Sequence, residues 1–250
     1  MDDSRYSNRS ERTKKTLQEY VYQILKQDII THRLPPLQEL NIDVLAKRLD
    51  VSATPVREGL LRLSIDGLVV REPNHKAYVA GMTEVEVRNV FEMRRLLEPY
   101  AFAELSTQTK SCDEVVGDIQ HIRSNILILA PQLRDPLTQE LQEAYIAIDR
   151  MLHTLLCDKQ RNTILARMLG HLGDYSLRVA TFAEAFSRRN LLQRMKSVCK
   201  EHVDLLDAIL SGIPEDVVWA TRTHLTHSEM RTLEALDGIK SQVGSKAAKA

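Results

Sequence analysis

Apolar residues recur along this chain mostly with a helical rhythm, broken once by a short alternating stretch. Over residues 14–31, Leu17, Val21, Ile24, Leu25 and Ile29 fall on one face at a period near 3.6, which predicts a helix. Leu34-Pro35-Pro36-Leu37 ends it. A short amphipathic helix is predicted over residues 42–49, with Val44, Leu45 and Leu49 on one face, followed by a tight turn, Asp50-Val51-Ser52. The next helix is predicted to start near Thr54-Pro55 and to carry Val56, Leu60, Leu61 and Leu63 inward. Pro55 falls in the first turn, where its missing N–H costs nothing, and Ser52 or Thr54 can cap the orphan N–H groups. Two strands follow, 68–72 and 76–80, joined by Pro73-Asn74-His75. Two helices, a tight turn and a hairpin make a winged helix-turn-helix pattern, whose second helix has the design of a DNA major-groove reader.

From Gly81-Met82-Thr83 onward the rhythm is helical throughout. Thr83 and Glu86 have capping-box spacing, so a long helix is predicted from there to about residue 107. Further helices are expected over 113–130, 135–157, 162–186, 190–211 and 215–236, with loops marked by Pro131, Pro136 and Gly212-Ile213-Pro214. The fold class is therefore mainly α: an N-terminal winged helix-turn-helix followed by an all-α antiparallel bundle of about six helices. The expected divisions are a disordered segment at 1–13, a DNA-binding domain at 14–81, a helical domain at 82–238 and a disordered tail at 239–250.

Composition changes this picture in three places. The net charge is zero, and residues 1–80 hold 13 Lys and Arg against 11 Asp and Glu, so a nucleic-acid role rests on the motif and on placed cations rather than on bulk charge. Those cations are Lys14, Lys15, Lys47, Arg48, Arg57, Arg62, Arg71 and Lys76, each of which has a solvated surface position as its plain alternative. Cys112, Cys157 and Cys199 are widely spaced with no CxxC pair, the usage of buried thiols in a reducing cytoplasm. The apolar run 126–130 is far too short to span a bilayer, so no membrane partner is expected and the location is cytoplasmic.

The first domain resembles the winged helix-turn-helix of the GntR family of bacterial transcription regulators. The resemblance lies in Leu45-Ala46, Leu49-Asp50-Val51-Ser52-Ala53-Thr54-Pro55-Val56-Arg57-Glu58-Gly59-Leu60, then Leu63 and Gly67-Leu68. There are departures: Ala53 replaces an arginine, Asp50 a glycine and Gly59 an alanine; Pro36 follows Pro35 where proline-glycine is usual, and Lys76 stands where a wing glycine is common. The likeness implies operator DNA as partner, with Arg48, Ser52, Thr54, Pro55, Arg57, Arg62 and Lys76 at the interface. It also implies a homodimer that sets two recognition helices in successive major grooves. The helical half resembles the FCD ligand-binding domain of the FadR-like subgroup.

Asp149 and His153 are four residues apart on one helix face; His202 and His224 sit among apolar residues of two later helices. One carboxylate and three imidazoles from three helices can close on one divalent cation, Zn, Ni, Mn or Fe; the plain alternative is hydrogen-bonded core histidines. The FCD pattern of Asp, three residues, His, then Glu-His and His-Leu is matched in order by Asp149/His153, Glu201-His202 and His224-Leu225, with Leu152 where an aromatic is usual. Arg94 resembles the family's first-helix arginine, which implies a small carboxylate effector; its alternative is a salt bridge to Glu98. Arg178 is a second effector candidate, and His227 is placed one turn past His224. The reading is a metabolite-responsive regulator, most simply a repressor. Two alternatives remain: a hydrolase-like metalloenzyme using an open Asp/His₃ site, and a purely structural metal. Neither GxSxG nor HExxH is present to support an enzyme.

Overall fold

The computed structural model describes the backbone over residues 4–73, 76–186 and 190–247, and side chains over 17–73, 76–182 and 190–237. The chain divides into two units, Met1–Met82 and Thr83–Ala250. Lys14, Lys15 and the wing tip Asn74-His75 lie outside the described side chains.

The first unit holds α1 (Ser4–Ile30), α2 (Ile42–Leu49), α3 (Ala53–Ile65), β1 (Val69–Arg71) and β2 (Ala77–Val79). Its core is Val21, Leu25, Ile29, Leu45, Val56, Leu60, Leu63, Leu68 and Val79, all nearly inaccessible. β1 and β2 are antiparallel, with Val69 opposite Val79 and Arg71 opposite Ala77. The hairpin gains a third extended stretch that periodicity did not show. Leu40 N–H donates to Ala77 O at 2.7 Å and Val79 N–H to Gln38 O at 2.9 Å, covering the free edge of β2.

α2 is capped by Asn41, whose Oδ1 accepts from Val44 N at 3.0 Å. It ends on Asp50 at φ 53°, a left-handed position that Asp tolerates better than most residues, where the GntR pattern has glycine. Gly59 sits where α3 crosses α1: a Cβ there lies 3.1 Å from Val21 Cγ1 and 3.5 Å from Tyr22 N. The side-chain-free position lets the two helices approach closely. Two inward assignments fail. Val44 is 63% and Leu61 40% exposed, because each adjoins the inward Leu45 or Leu60 and 100° of helical rotation separates neighbours. Ser52 occupies the N-cap of α3 but its side chain caps nothing. Helix α1 begins at Ser4, in a segment expected to be disordered: Ser, Arg, Glu and Lys carry no apolar signal, yet continuing a nucleated helix through them costs little.

The second unit consists of α4 (Glu84–Gln108), α5 (Asp113–Leu129), a 3₁₀ turn at Ala130–Gln132, α6 (Gln139–Asp158), α7 (Thr163–Phe186), α8 (Leu191–Ser211) and α9 (Pro214–Ala247). The capping box forms as predicted, with Glu86 N–H donating to Thr83 Oγ1 at 3.1 Å and Thr83 N–H to Glu86 Oε2 at 2.8 Å. Asn162 caps α7 through Oδ1, and Gly212 closes α8 at φ 69°. α4 packs chiefly on α9 and also meets α7 and α8, while α5, α6 and α8 close the other side. Phe91, Phe102, Leu105, Ile119, Ile126, Leu156 and Met195 fill the interior. α9 runs on to Ala247, beyond the predicted end at 236 and into the expected disordered tail. No helix among the described residues is long and apolar enough to cross a membrane.

Candidate metal centre and nucleic-acid face

Asp149 and His153 project from α6, His202 from α8 and His224 from α9, and the four meet inside the bundle. Asp149 Oδ1 is 3.7 Å from His202 Nε2 and Oδ2 is 3.8 Å from His153 Nε2. The rings of His202 and His224 stack obliquely, centroids 4.7 Å apart. Beside them is a cavity of about 70 Å³, lined by Phe91, Arg94, Tyr145, Asp149, His153, Ser176, Arg194, His224 and Arg231. That is room for a few water-sized groups. His202 is 3% exposed and stands behind His224.

Two donors on one ion at about 2.1 Å sit about 3.4 Å apart in a tetrahedral shell. The oxygen–nitrogen spacings around Asp149 are a few tenths of an ångström longer, and no group of three His, Cys, Asp or Glu among the described residues is already closed to ion-holding spacing. By donor type, one carboxylate and three imidazoles fit a divalent ion. The charge state of the set fits too. Burial alone raises the Asp149 carboxyl, but His153, His202 and Arg94 outweigh it and hold it below the usual range. Burial, then the neighbouring His224, pushes His202 down to about 3. Burial also lowers His224, against the pull of Glu201. A carboxylate held toward its ionised form, with His202 and His224 held toward neutrality, suits ligation. Cys199 lies one turn before His202, and burial pushes its thiol up to about 11. The three cysteines are free thiols.

The effector candidates divide. Arg94 lines the cavity, yet both ends of its guanidinium are held: Nε donates to Glu98 Oε1 at 2.7 Å and Nη2 to Oε2 at 3.2 Å. Burial alone raises Glu98, and Arg94 beside it more than reverses that. The structural salt bridge and the cavity position are thus both present. Arg178 is buried but does not line the cavity; Glu86 and Tyr175 are its charged and phenolic neighbours. It projects from α7 two residues after Ser176, about 200° around the helix from that cavity-lining side chain. Several cavity residues escaped sequence reasoning, Tyr145, Arg194 and Arg231 among them. Arg231 carried a signal, since it lies seven residues after His224 and therefore on the same face of α9. It binds Glu201 through two bonds, 2.7 and 2.8 Å.

On the first unit, Ser52, Thr54 and Arg57 lie exposed on the outward side of α3. Arg57 has no ion-pair or hydrogen-bond partner among the described residues, and Lys47 and Arg71 are exposed on α2 and β1. Pro55 is buried, which corrects its expected place at the interface: its fixed φ starts the helix while its ring packs inward. Arg62 is tied to α1 by Glu19 and lies 4.0 Å over the Tyr22 ring, whose hydroxyl donates to Asp66 at 2.6 Å. Arg48 is held at 2.7 Å by the nearly buried Asp28, and Lys76 faces Glu39 at 3.5 Å. An exposed pair such as Lys76–Glu39 is worth about 0–1 kcal/mol, so a phosphate competes readily for Lys76 and less readily for Arg48, whose partner is nearly buried.

Two family models match the chain: "Bacterial regulatory proteins, gntR family" over residues 17–79 and "FCD domain" over residues 89–227. The HTH-type transcriptional repressor RspR of Escherichia coli K12 is 32% identical over 78 residues, 31% of this chain and only 34% of that protein. The HTH-type transcriptional regulator LutR of Bacillus subtilis is 25% identical over 209 residues, covering 76% of this chain and 88% of LutR. Among solved structures, E. coli McbR/YncC superposes with a TM-score of 0.70 over 87% of this chain and 97% of its own, at 18% identity, a likeness of fold. Family and relatives are named as transcription regulators, not enzymes. A hairpin-flanked helix-turn-helix joined to a six-helix bundle with an Asp/His cluster, matched along most of its length, places this chain in the GntR family of bacterial regulatory proteins, in the branch that carries an FCD domain.

Proposed function

We propose that this protein is a DNA-binding repressor, working as a homodimer in the cytoplasm, released from its operator by a small carboxylate bound at or beside a divalent metal. The observation that carries this reading is the meeting of Asp149, His153, His202 and His224 beside a cavity that Arg94 also lines. The four side chains would hold the ion, one per chain. Zn, Ni, Mn and Fe all suit one oxygen and three imidazoles, and such an ion supplies a Lewis-acidic anchor for a carboxylate. Arg94, already paired with Glu98, and Arg194 place two guanidinium groups on the cavity wall. On the DNA side, Arg57 reads a base or phosphate from the exposed face of α3, with Ser52 and Thr54 nearby and Lys47 and Arg71 as phosphate contacts. A two-fold dimer sets the two copies of α3 one helical turn of DNA apart. The effector acts only through a difference in affinity between the DNA-competent and released states. The family and the relatives are named as transcription regulators, which leaves a hydrolytic role without support.

The test begins with metal analysis of the purified protein, wild type beside Asp149→Ala/His202→Ala. About one metal per chain, lost in the variant, is expected. A binding duplex selected from random sequence then reports release by carboxylates in fluorescence anisotropy. Absence of metal in the wild type, even after supply of Zn²⁺, Ni²⁺ or Mn²⁺, would sink the metal reading.

A further inference from the structure

Glu201 directly precedes His202 on α8, yet its carboxylate faces α9. Its side chain is 13% exposed and receives four contacts. Arg231 Nη1 and Nη2 donate to Oε1 and Oε2 at 2.7 and 2.8 Å. His224 Nδ1 lies 2.9 Å from Oε2 and His227 Nδ1 3.1 Å from Oε1. An ionised carboxylate has room for about four donors and is then saturated. Arg231 is itself fixed by a further bond to Ser228 Oγ at 2.9 Å. The carboxylate is therefore a braced, acceptor-only anchor on one side of the His224 ring.

The geometry points to Glu201, braced by Arg231, as the positioning residue of the cavity: it fixes the proton of His224 on Nδ1 and so presents Nε2 as the lone-pair nitrogen for a metal ion. This rests on the metal reading above. The chemistry is that of a neutral imidazole, which has one N–H and one lone pair; a carboxylate at Nδ1 can only accept, so the proton stays there and Nε2 is bare. Carboxylates behind ligating histidines orient the ring and raise its basicity, and their loss typically costs 10–100-fold in metal affinity. The assignment also withdraws Arg231 from effector binding, although it lines the cavity, because its guanidinium is committed to Glu201.

The test uses full-length ¹⁵N-histidine-labelled protein at pH 7.5. Glu201→Met/Arg231→Met removes both charges together, which avoids stranding one buried partner. Arg231→Met alone leaves the anchor in place. In metal-free wild type, long-range ¹H–¹⁵N spectra are expected to show His224 protonated on Nδ1 with Nε2 bare; Arg231→Met keeps that signature and the double variant loses it. Zn²⁺ affinity, measured by chelator competition, is expected to fall about 10–100-fold in the double variant at unchanged helical circular dichroism. Tight Zn²⁺ binding with the same affinity in the double variant, or an Nε2-protonated His224 in the wild type, overturns the role of Glu201 while leaving the metal site standing. Absence of Zn²⁺ binding in the wild type overturns both. Should the double variant fail to fold, Glu201→Gln replaces it, with the same tautomer and affinity readouts deciding.

Discussion

Glu98→Gln is the sharpest stability test of the bundle. Arg94 is 5% and Glu98 2% exposed, one turn apart on α4, joined by two hydrogen bonds. The substitution keeps the shape and one hydrogen-bonding oxygen but removes the charge, leaving a guanidinium in the interior without its counter-ion. Breaking a buried pair from one side costs about 3–5 kcal/mol. The lower end applies, because Arg94 borders the cavity and solvent there can relax around it. A loss of about 3 kcal/mol lowers the melting temperature of a domain this size by about 6–12 °C. The assay is thermal and urea unfolding followed by circular dichroism at 222 nm; the sole tryptophan, Trp219, is 71% exposed and is a poor reporter of the core. Arg94→Met/Glu98→Met should recover most of the loss, since replacing both charges by apolar groups is close to neutral. A small carboxylate that enters the cavity should stabilise Glu98→Gln more than wild type, because the released guanidinium gains a new partner. A Glu98→Gln protein within 1 kcal/mol of wild type by both denaturants would refute the reasoning, and with it the account of Arg94 as a buried, neutralised cation.

Other outcomes follow from the same geometry. In metal-free protein, His202 stays neutral when folded but takes a proton near its ordinary 6.5 when unfolded, with a folded value of about 3. Its contribution to stability is full above about pH 6.5 and is lost progressively as pH falls toward 3, amounting to about 2 kcal/mol lost by pH 5. Urea midpoints at pH 7.5 and 5 test this, and the difference should shrink in His202→Gln. Arg57→Ala should weaken operator binding by about 1–3 kcal/mol if the guanidinium reads a base, whereas Arg62→Ala should mainly loosen the α1–α3 contact; anisotropy at fixed salt separates them. Leu37 is 73% exposed at φ 67°, so Leu37→Gly should stabilise the first unit by relieving about 1 kcal/mol of left-handed strain, measured as a raised melting temperature. A lowered melting temperature would mean that the Leu37 contact over Gly81 outweighs the strain.

Most of the architecture was legible because periodicity reports burial. The α2–turn–α3 unit, the capping box at Thr83 and Glu86, and six helices after residue 83 all appear where the apolar rhythm and the breakers put them. The misses share a cause. Val44 and Leu61 are apolar residues beside inward ones, and 100° of helical rotation turns each of them toward solvent. The residues 38–40 that complete the hairpin are too few to alternate visibly. The ends of α1 and α9 carry helix-compatible polar residues, which periodicity reads as the end of structure.

The site divides along the same physical line. Asp149, His153, His202 and His224 were legible because ionisable side chains on apolar helix faces have few reasons to be there. Their supporting cast was legible only in part: the pair Glu201-His202 and the position of His227 stood out, but not what the Glu201 carboxylate holds. Glu201 occupies the boundary between α8 and α9, where a carboxylate looks like any surface charge until the arginine and histidine rising from the neighbouring helix are seen to end on it. The same holds for Arg62, Arg48 and Lys76, which sequence alone assigns to DNA and the fold gives first to Glu19, Asp28 and Glu39. A motif names the residue types that a chemistry needs; which cations remain uncommitted is decided by contacts between elements far apart in the chain. On that criterion Arg57 is the cation on α3 whose loss operator DNA should register most, and the buried pair at Arg94–Glu98 is where an entering carboxylate must compete with the protein's own.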